Sequence, residues 1–428
     1  MKKSRLERII GILLAAIMVI GMLAGCAKTD KTNDTPSTPS TSDTKDNADT
    51  SAETPADSDK TEEGGEITLA FVGPQTGDNA EYGKSMKTAM QIAIDEWNEK
   101  GGVIGKTIKM VDYDDANTSE QAASIAEKLV GDKSISAVVG HFSSGVAMTA
   151  AEIYQESGLA LINASAAHVD FAKIGDCIFR NNAVYTTDAN TMLQIAAYLG
   201  YTKIGTLNPN SDAGLSITNC IESMIEKYGD KYPGDLLLAD LYEEGTVDFS
   251  AAISKFEQAG VEVIYSSGAY AQTAPFIKQY LEKNPNMKFI MSAACFSQEF
   301  LDLAGEDAEG VVIGTSFFYE SADPNVQNFV QKYIEAYGSN PSTFAAQAYD
   351  ATYAILYAIE KGNSAERADI VKNLAETDFQ GVTGKITFDE EGNCPKQQVL
   401  LEIKDGDYVE IPNALLSQTD YEASLGVN

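Results

Sequence analysis

The stretch Ile67-Thr68-Leu69-Ala70-Phe71-Val72-Gly73-Pro74 begins the pattern that decides the fold of this chain. A short apolar run that ends at Gly-Pro is typical of a buried strand. Apolar residues then recur at helical spacing from Met86 to Trp97, and Gly101-Gly102 ends that helix. Residues 108–111 return to a strand pattern, so the region begins with a strand–helix–strand unit.

The alternation of strand and helix patterns continues along the chain. A capping box at Thr118–Gln121 predicts a second helix, and a third is predicted from about Gly145. Further strands are predicted at 135–139, 159–162, 203–207, 261–265 and 288–291. Such alternation indicates parallel sheets covered by helices, and 428 residues exceed the ~250–300 at which a single core stops growing. We therefore predict an α/β fold with two lobes, each a parallel sheet flanked by helices, and a hinge near 181–188.

The first 26 residues have the pattern of an export signal. Four basic residues stand among the first eight, and the apolar run 9–23 follows them. A basic start before a short apolar run is typical of a secretory signal, whereas a membrane-spanning helix needs ~20 apolar residues. The run ends in Leu23-Ala24-Gly25-Cys26, which resembles the bacterial lipobox. We predict that Cys26 is lipidated and anchors the protein outside the cytoplasmic membrane. The alternative is cleavage near Ala24, with Cys26 left as a free thiol.

The predicted organisation of the chain has five parts. Residues 1–25 are the signal peptide. Residues 26–65, rich in Ser, Thr, Asp and Pro, are a disordered tether because they cannot bury enough apolar surface to fold. The remaining boundaries place 66–184 plus 317–390 in lobe 1, 185–316 plus 391–415 in lobe 2, and 416–428 in a tail.

The charge and composition of the chain exclude several classes of function. Lys and Arg number 31 against 63 Asp and Glu, which gives a formal net charge of −32. Such a surface repels phosphate backbones, so we predict no nucleic-acid partner. There are only two histidines, the cysteines have no zinc spacing, and the sequence motifs of common hydrolases are absent. We therefore predict no metal, no cofactor and no catalytic residues. The sequence leaves open whether two cysteines pair.

Seven segments, taken in order, carry a likeness to a known family. They are Phe71–Gly77, Tyr82-Gly83, Asn98–Gly105, Asp112–Ala116, Val139–His141, Ala304–Gly310 and Gly381–Asp389, and they extend over about 66–411. Together they resemble the leucine/isoleucine/valine-binding family. The resemblance implies the type I periplasmic binding protein fold, with two α/β lobes joined by three hinge crossings. It also implies that a monomer captures a small-molecule solute, without catalysis, and delivers it to the ABC permease of a membrane importer.

The resemblance places candidate ligand contacts in the first lobe. Relatives hold the ligand carboxylate on a Ser and neighbouring backbone N–H groups, and by position that Ser is Ser144, with Phe142 and Ser143 beside it. A helix that starts there favours an anion at its N-terminus. The alternative is that Ser143 or Ser144 only caps the helix. In the next loop the resemblance assigns a backbone carbonyl to Ser165, and Ala167 stands where relatives have a contacting Thr.

Further candidate contacts remain open between two interpretations. His168 could offer a ring N–H to the ligand or be a solvated loop residue. Tyr82 could offer its ring or pack at the start of a helix. In the second lobe Ala213 stands where relatives have an aromatic residue, and Tyr270 could take over that role.

The ligand itself is the least determined part of the prediction. Relatives pair the ligand ammonium with a carboxylate, and that position is Ala293 here. A buried unpaired ammonium costs several kcal/mol, so either Asp212 or another acid supplies the charge, or the ligand is not an ordinary amino acid. Phe142, Tyr270 and Phe296 would suit an aromatic acid or amide. We predict that the protein captures a solute like a branched-chain amino acid for an importer. One alternative is the same transport role for an aromatic acid or amide without an α-amine. The other is a sensor that reports its ligand to a receptor.

Overall fold

The computed structural model describes residues 64–427. The predicted signal peptide, Cys26 and the tether up to residue 63 lie outside the described residues. Between 64 and 427, no helix combines the length and the apolar character that a membrane span requires.

Lobe 1 is built on a parallel sheet of five strands. They are β1 (Glu66–Gly73), β2 (Thr107–Asp114), β3 (Ile135–Gly140), β4 (Ala160–Asn163) and β5 (Ile178–Arg180), in the order β2-β1-β3-β4-β5. Helices α1 (Ala80–Glu99), α2 (Ser119–Gly131) and α3 (Ser144–Ser157) connect the first four strands. Leu69 and Phe71 of β1 lie in one apolar cluster, and Ala70 and Val72 lie in another. The strand is apolar throughout because both faces of the sheet are covered.

Lobe 2 repeats this arrangement. Its parallel strands are β6 (Lys203–Pro209), β7 (Asp235–Tyr242), β8 (Val263–Ser266), β9 (Lys288–Met291) and β10 (Val312–Thr315). Its helices are α4 (Tyr185–Tyr198), α5 (Asp212–Tyr228), α6 (Ser250–Ala259), α7 (Tyr270–Lys283) and α8 (Gln298–Ala304). The order β7-β6-β8-β9-β10 matches that of lobe 1 strand for strand.

The last part of the chain serves both lobes. Helices α9 (Pro324–Tyr337), α10 (Thr343–Gly362) and α11 (Arg367–Leu374) return to lobe 1, where α9 and α10 pack on α1, and the hairpin β11 (Asp378–Gly381)–β12 (Gly384–Thr387) follows. Strands β13 (Val399–Lys404) and β14 (Asp407–Ile411) then extend the lobe 2 sheet beside β10, and α12 (Gln418–Leu425) ends the described chain. Both added strands are antiparallel to their neighbours, so lobe 2 is a mixed sheet rather than the purely parallel one that the sequence predicted. β13 enters the lobe 2 sheet directly from the third connection between the lobes, with no helix between that connection and the strand.

In each lobe the helix that follows the first strand (β1 or β6) packs closely against the end of that strand. A Cβ on Gly83 of α1 would overlap the carbonyl oxygen of Pro74, and a Cβ on Gly214 of α5 would overlap that of Pro209. Glycine is therefore required at both positions for the helix to pack this closely.

The chain crosses between the lobes three times, at 181–184, 316–323 and 388–398. Arg180, the last residue of β5, joins the first crossing to the third. Its backbone N–H donates to the Gly392 carbonyl at 2.9 Å, and its guanidinium donates to the side chain of Asn393. The first crossing lies within the hinge predicted from sequence.

Candidate functional site

A cavity of about 470 Å³ lies between the two lobes. Lobe 1 lines it with the loops after β3 and β4 and with the start of α3, and lobe 2 lines it with the loops after β6, β8 and β9. These loops follow the carboxyl ends of parallel strands, which is where ligands of α/β sheets bind.

The start of α3 forms one wall of the cavity. Ser144, Gly145 and Val146 all line it, and the backbone N–H groups in the first turn of a helix have no acceptor within the helix. Ser143 occupies the N-cap position, but its hydroxyl makes no capping hydrogen bond. The helix dipole and these donors favour an anionic group at this wall.

The loops after β3 and β4 are fixed to each other. Asn163, the last residue of β4, donates from its amide to two carbonyls of the β3 loop and accepts from the Ser165 N–H at 2.8 Å. The Ser165 hydroxyl donates to the Phe142 carbonyl at 2.8 Å, and the Ser144 hydroxyl accepts from the Ala167 N–H at 3.2 Å. This wall is therefore preorganised, because its polar groups hold one another in place.

A second set of hydrogen bonds ties the wall to two of the crossings. The Asn182 amide donates to the Ser165 carbonyl at 2.7 Å and accepts from Gln347 at 3.0 Å. The same Gln347 amide nitrogen donates to the Ser316 hydroxyl at 2.9 Å. Asn182 and Ser316 line the cavity, so the crossings contribute to its surface directly.

Three acids and, among the described residues, no Lys or Arg line the cavity. Asp212 and Glu244 are exposed, whereas Asp188 on α4 is half-buried. Burial raises the pKa of Asp188 to about 7, and the positive charge of Arg180 opposes that increase. The cavity can therefore accept a cationic group as well as an anion at α3.

Seven of the residues predicted from sequence line this cavity: Phe142, Ser143, Ser144, Ser165, Ala167, Asp212 and Ala293. The structure brings them together from both lobes. Their contact with a ligand stays a prediction.

Tyr82 and Tyr270 lie outside the cavity lining and join the lobes instead. The Tyr82 hydroxyl donates to the Ala294 carbonyl at 2.8 Å and accepts from the Tyr270 N–H at 3.2 Å. The Tyr82 ring stacks on Phe142, with ring centroids 4.3 Å apart. The Tyr270 hydroxyl donates to the Asp78 carbonyl at 3.3 Å. Both tyrosines therefore span the interface between α1 of lobe 1 and the cavity loops of lobe 2.

Phe296 and His168 are also placed away from the cavity lining. Phe296 is buried, stacked on Tyr319 with centroids 5.5 Å apart and edge-on to Tyr408 at 4.8 Å. His168 lines a separate groove beside α5, and its carbonyl accepts from the Arg180 guanidinium. These positions give Phe296 a packing role in lobe 2 and His168 a backbone role beside the first crossing.

Sequence reasoning did not single out several lining residues, among them Asn182, Tyr185, Asp188 and Gln398. For Asp188 a signal was present. It is four residues before Met192 and seven before Ile195, which are buried on α4, so a carboxyl group occupies the apolar face of that helix.

Within residues 64–427, no three or more His, Cys, Asp or Glu side chains form a cluster that could hold a metal ion. Cys177, Cys220, Cys295 and Cys394 are free thiols.

Comparisons with known proteins found a matching family model and similar sequences and structures. A family model described as periplasmic binding protein matches residues 66–407. The leucine-, isoleucine-, valine-, threonine-, and alanine-binding protein of Pseudomonas aeruginosa is 28% identical over 330 residues, which cover 76% of this chain and 87% of that protein.

Two solved structures share the fold. The branched-chain amino acid transporter substrate binding protein of Streptococcus pneumoniae, in complex with isoleucine, is 26% identical with a TM-score of 0.74, over 80% of this chain and 99% of that one. An ABC transporter solute binding protein of R. palustris, in complex with benzoate, has a TM-score of 0.74 at 19% identity, over 81% of this chain and 96% of that one. At that identity the second likeness shows the fold alone.

Proposed function

Since the chain belongs to the periplasmic binding protein family, we propose that it captures a small solute with a carboxylate group between its lobes and delivers it to the permease of an ABC importer. The observation that carries the proposal is the wall at the start of α3. There a hydroxyl without a capping bond and the first-turn N–H groups meet the cavity, and the neighbouring loops are already held in place. Such a wall binds a carboxylate without first having to order itself.

The named ligands of the relatives support the same chemical class. The Pseudomonas aeruginosa protein is named for five amino acids, and the Streptococcus pneumoniae protein holds isoleucine. These ligands differ in their side chains, and every one of them has a carboxylate. We therefore propose that the start of α3 binds the carboxylate of the solute and that lobe 2 contacts the rest of the solute.

We further propose that the protein works outside the cytoplasmic membrane, as a monomer without catalytic activity, anchored by lipid on Cys26. The tether 26–65 would let the folded part reach its permease while it remains attached. Within the folded part, the proposed lobes are 66–184 plus 317–390 and 185–316 plus 391–415.

Thermal unfolding of the purified chain against a solute library tests the binding proposal. The library contains the branched-chain amino acids, their keto acids, benzoate and the methyl ester of each acid. A ligand at 100 times its Kd stabilises the folded state by ~2.7 kcal/mol, so a true ligand raises Tm clearly. We expect at least one acid to raise Tm and its ester, which lacks the carboxylate, to leave Tm unchanged. A library in which no acid raises Tm would contradict the proposal.

Uptake separates transport from sensing. We expect deletion of the gene to abolish import of the radiolabelled solute. Import that continues at the normal rate while the protein binds that solute would favour the sensor alternative.

A further inference from the structure

Asp188 differs from the other two acids of the cavity in its surroundings. Besides the cavity it lines a narrow recess of about 10 Å³, whose other residues come from α4, from β8, β9 and β10 and from the residue after β9, and are mostly apolar. None of residues 64–427 donates a hydrogen bond to its carboxyl group. A carboxylate in such a place, without a donor, raises the free energy of the empty cavity.

Two more polar groups near the cavity lack partners among the described residues. The amide oxygen of Gln398, a cavity-lining residue that is 9% exposed, is buried and accepts no hydrogen bond. The hydroxyl of Tyr265, which lines the same recess as Asp188, is buried and unpaired. Among the described residues, the cavity lining has three acids and no Lys or Arg, whereas an ammonium group brings three donors and no acceptor.

We propose that Asp188 is the counter-charge for an ammonium group on the solute, and that binding of the ammonium expels a proton that Asp188 holds in the empty cavity. The inference rests on the proposed function, because it places the solute in that same cavity. The neutral carboxyl of Asp188 loses its proton to solvent, and the resulting carboxylate pairs with the ammonium. The solute is then an amino acid, held by its carboxylate at α3 of lobe 1 and by its ammonium at α4 of lobe 2. Asp188 on α4 then takes the role of the carboxylate that relatives have at the position of Ala293.

Among the titratable groups around Asp188, only Asp188 itself is expected to change its charge near neutral pH. The surrounding groups are Arg180 at the end of β5, Tyr185 on α4, Cys220 on α5 and Tyr265 on β8. Burial lowers the pKa of Arg180 to about 10 and raises the pKa of Cys220 to about 11, and it raises the pKa of both phenols above their ordinary range. All four therefore keep one charge state between pH 6 and 8, while Asp188, with its pKa near 7, does not.

The test compares the full chain and its Asp188→Asn variant at pH 6 and pH 8. The probes are the twenty protein amino acids and, for each, the carboxylic acid that lacks its α-amine, and Kd is measured by calorimetry. For the unchanged chain we expect amino acids to bind about tenfold more weakly at pH 6 than at pH 8, with proton release that changes with buffer ionisation heat. In Asp188→Asn we expect a loss of about 30-fold or more at pH 8, no pH dependence, and unchanged binding of any acid without an amine.

Controls make the outcomes separable. Glu226→Gln removes an exposed acid on the surface of α5 and should leave every value unchanged. Amino acids that bind Asp188→Asn as tightly as the unchanged chain would overturn the inference, as would a loss confined to Asp212→Asn or Glu244→Gln. Binding of amine-free acids alone would also overturn it, and the proposed function would stand. A chain that binds none of the probes would contradict the proposed function itself.

Discussion

The carboxyl groups of Asp350 and Asp188 differ in the hydrogen-bond donors that the chain supplies to them. Asp350 on α10 is 1% exposed and accepts hydrogen bonds from the backbone N–H groups of Val382 and Thr383, at 2.9 and 2.8 Å, and from the Thr383 hydroxyl at 2.6 Å. Asp188 on α4 receives none from residues 64–427. Burial raises the pKa of both. The difference teaches that a raised pKa alone does not distinguish a structural acid from a functional one, whereas the supply of donors does.

The comparison extends to the rest of the site. Around Asp350 the chain supplies the donors itself, and the turn between β11 and β12 is thereby fixed to α10. Within the described chain, the carboxyl group of Asp188 and the amide oxygen of Gln398 accept no hydrogen bond, and both residues line the cavity. The first arrangement stabilises the fold, and the second leaves free energy to be gained when a solute binds.

Removal of Asp350 is expected to have the largest effect. Asp350→Ala leaves two buried N–H groups without an acceptor, which should lower the free energy of unfolding by about 3–5 kcal/mol. Urea denaturation of the chain measures the change. Glu360→Ala, an exposed position on the same helix, is the control and should shift it by less than about 0.5 kcal/mol. Equal shifts in the two variants would show that Asp350 contributes no more to stability than a surface acid.

Asp188→Asn should act in the opposite direction in the absence of solute. The folded-state pKa of Asp188 lies above the ordinary value, so ionisation destabilises the fold progressively as pH rises from about 4 to about 7. An Asn stays neutral, and the variant should therefore be more stable by about 2–4 kcal/mol at pH 8 and no more stable near pH 4. Urea denaturation at both pH values measures this. A variant that is less stable at pH 8 would mean that Asp188 has partners like those of Asp350.

Tyr82→Phe tests polar groups that are satisfied across the two lobes. The change removes both hydrogen bonds of the hydroxyl, to Ala294 and from Tyr270, while the packing of the ring remains. Each bond contributes about 0.5–1.5 kcal/mol, so binding of the solute should weaken about tenfold because the contact between the two lobes that border the cavity is less favourable. Calorimetry gives the Kd. Tyr357→Phe, at a side chain 39% exposed, should leave the Kd unchanged.

The two serines of α3 give the smallest and sharpest contrast. The Ser143 hydroxyl makes no capping bond, so Ser143→Ala should weaken solute binding about fivefold and change stability by less than about 0.5 kcal/mol. The Ser144 hydroxyl accepts from the backbone N–H groups of Ala167 and His168, so Ser144→Ala should also cost about 1–2 kcal/mol of stability. Thermal melts and binding curves of both variants measure these effects. Equal losses of stability in the two variants would contradict the structural role assigned to the Ser144 hydroxyl.

What the sequence could predict was the part with a local signature. The strand–helix alternation predicted the two lobes, and the family resemblance pointed to Ser144, at the start of a predicted helix, which lines the cavity. The fold class and the family are confirmed. The antiparallel strands β13 and β14 were not predicted. The direction of β13 depends on the third crossing, whereas the turn Asp405-Gly406 before β14 is a local hairpin signal that the prediction missed.

The lobe 2 side of the cavity could not be predicted in the same way. An aromatic residue beside a strand end has the same sequence pattern whether it lines a cavity or packs in a core. Only the three-dimensional structure shows that Phe296 stacks on Tyr319 and that Tyr270 bonds to Tyr82 and to the Asp78 carbonyl. Gln398 reaches the cavity because the third crossing passes it, a contact between residues far apart in sequence.

The matching strand orders of the two lobes have a consequence for the history of the chain. In each lobe the first strand of the chain ends at or directly before a proline whose carbonyl oxygen approaches a glycine of the next helix, Pro74 with Gly83 and Pro209 with Gly214. Two such coincidences of topology and close contact are what an internal gene duplication leaves behind. In a half-length ancestor the cavity would have formed between two identical subunits, and both of its walls would have had the same residues. The proposed separation of an anion-binding wall at α3 from an acid at α4 would then have arisen only after the two copies were joined and could diverge.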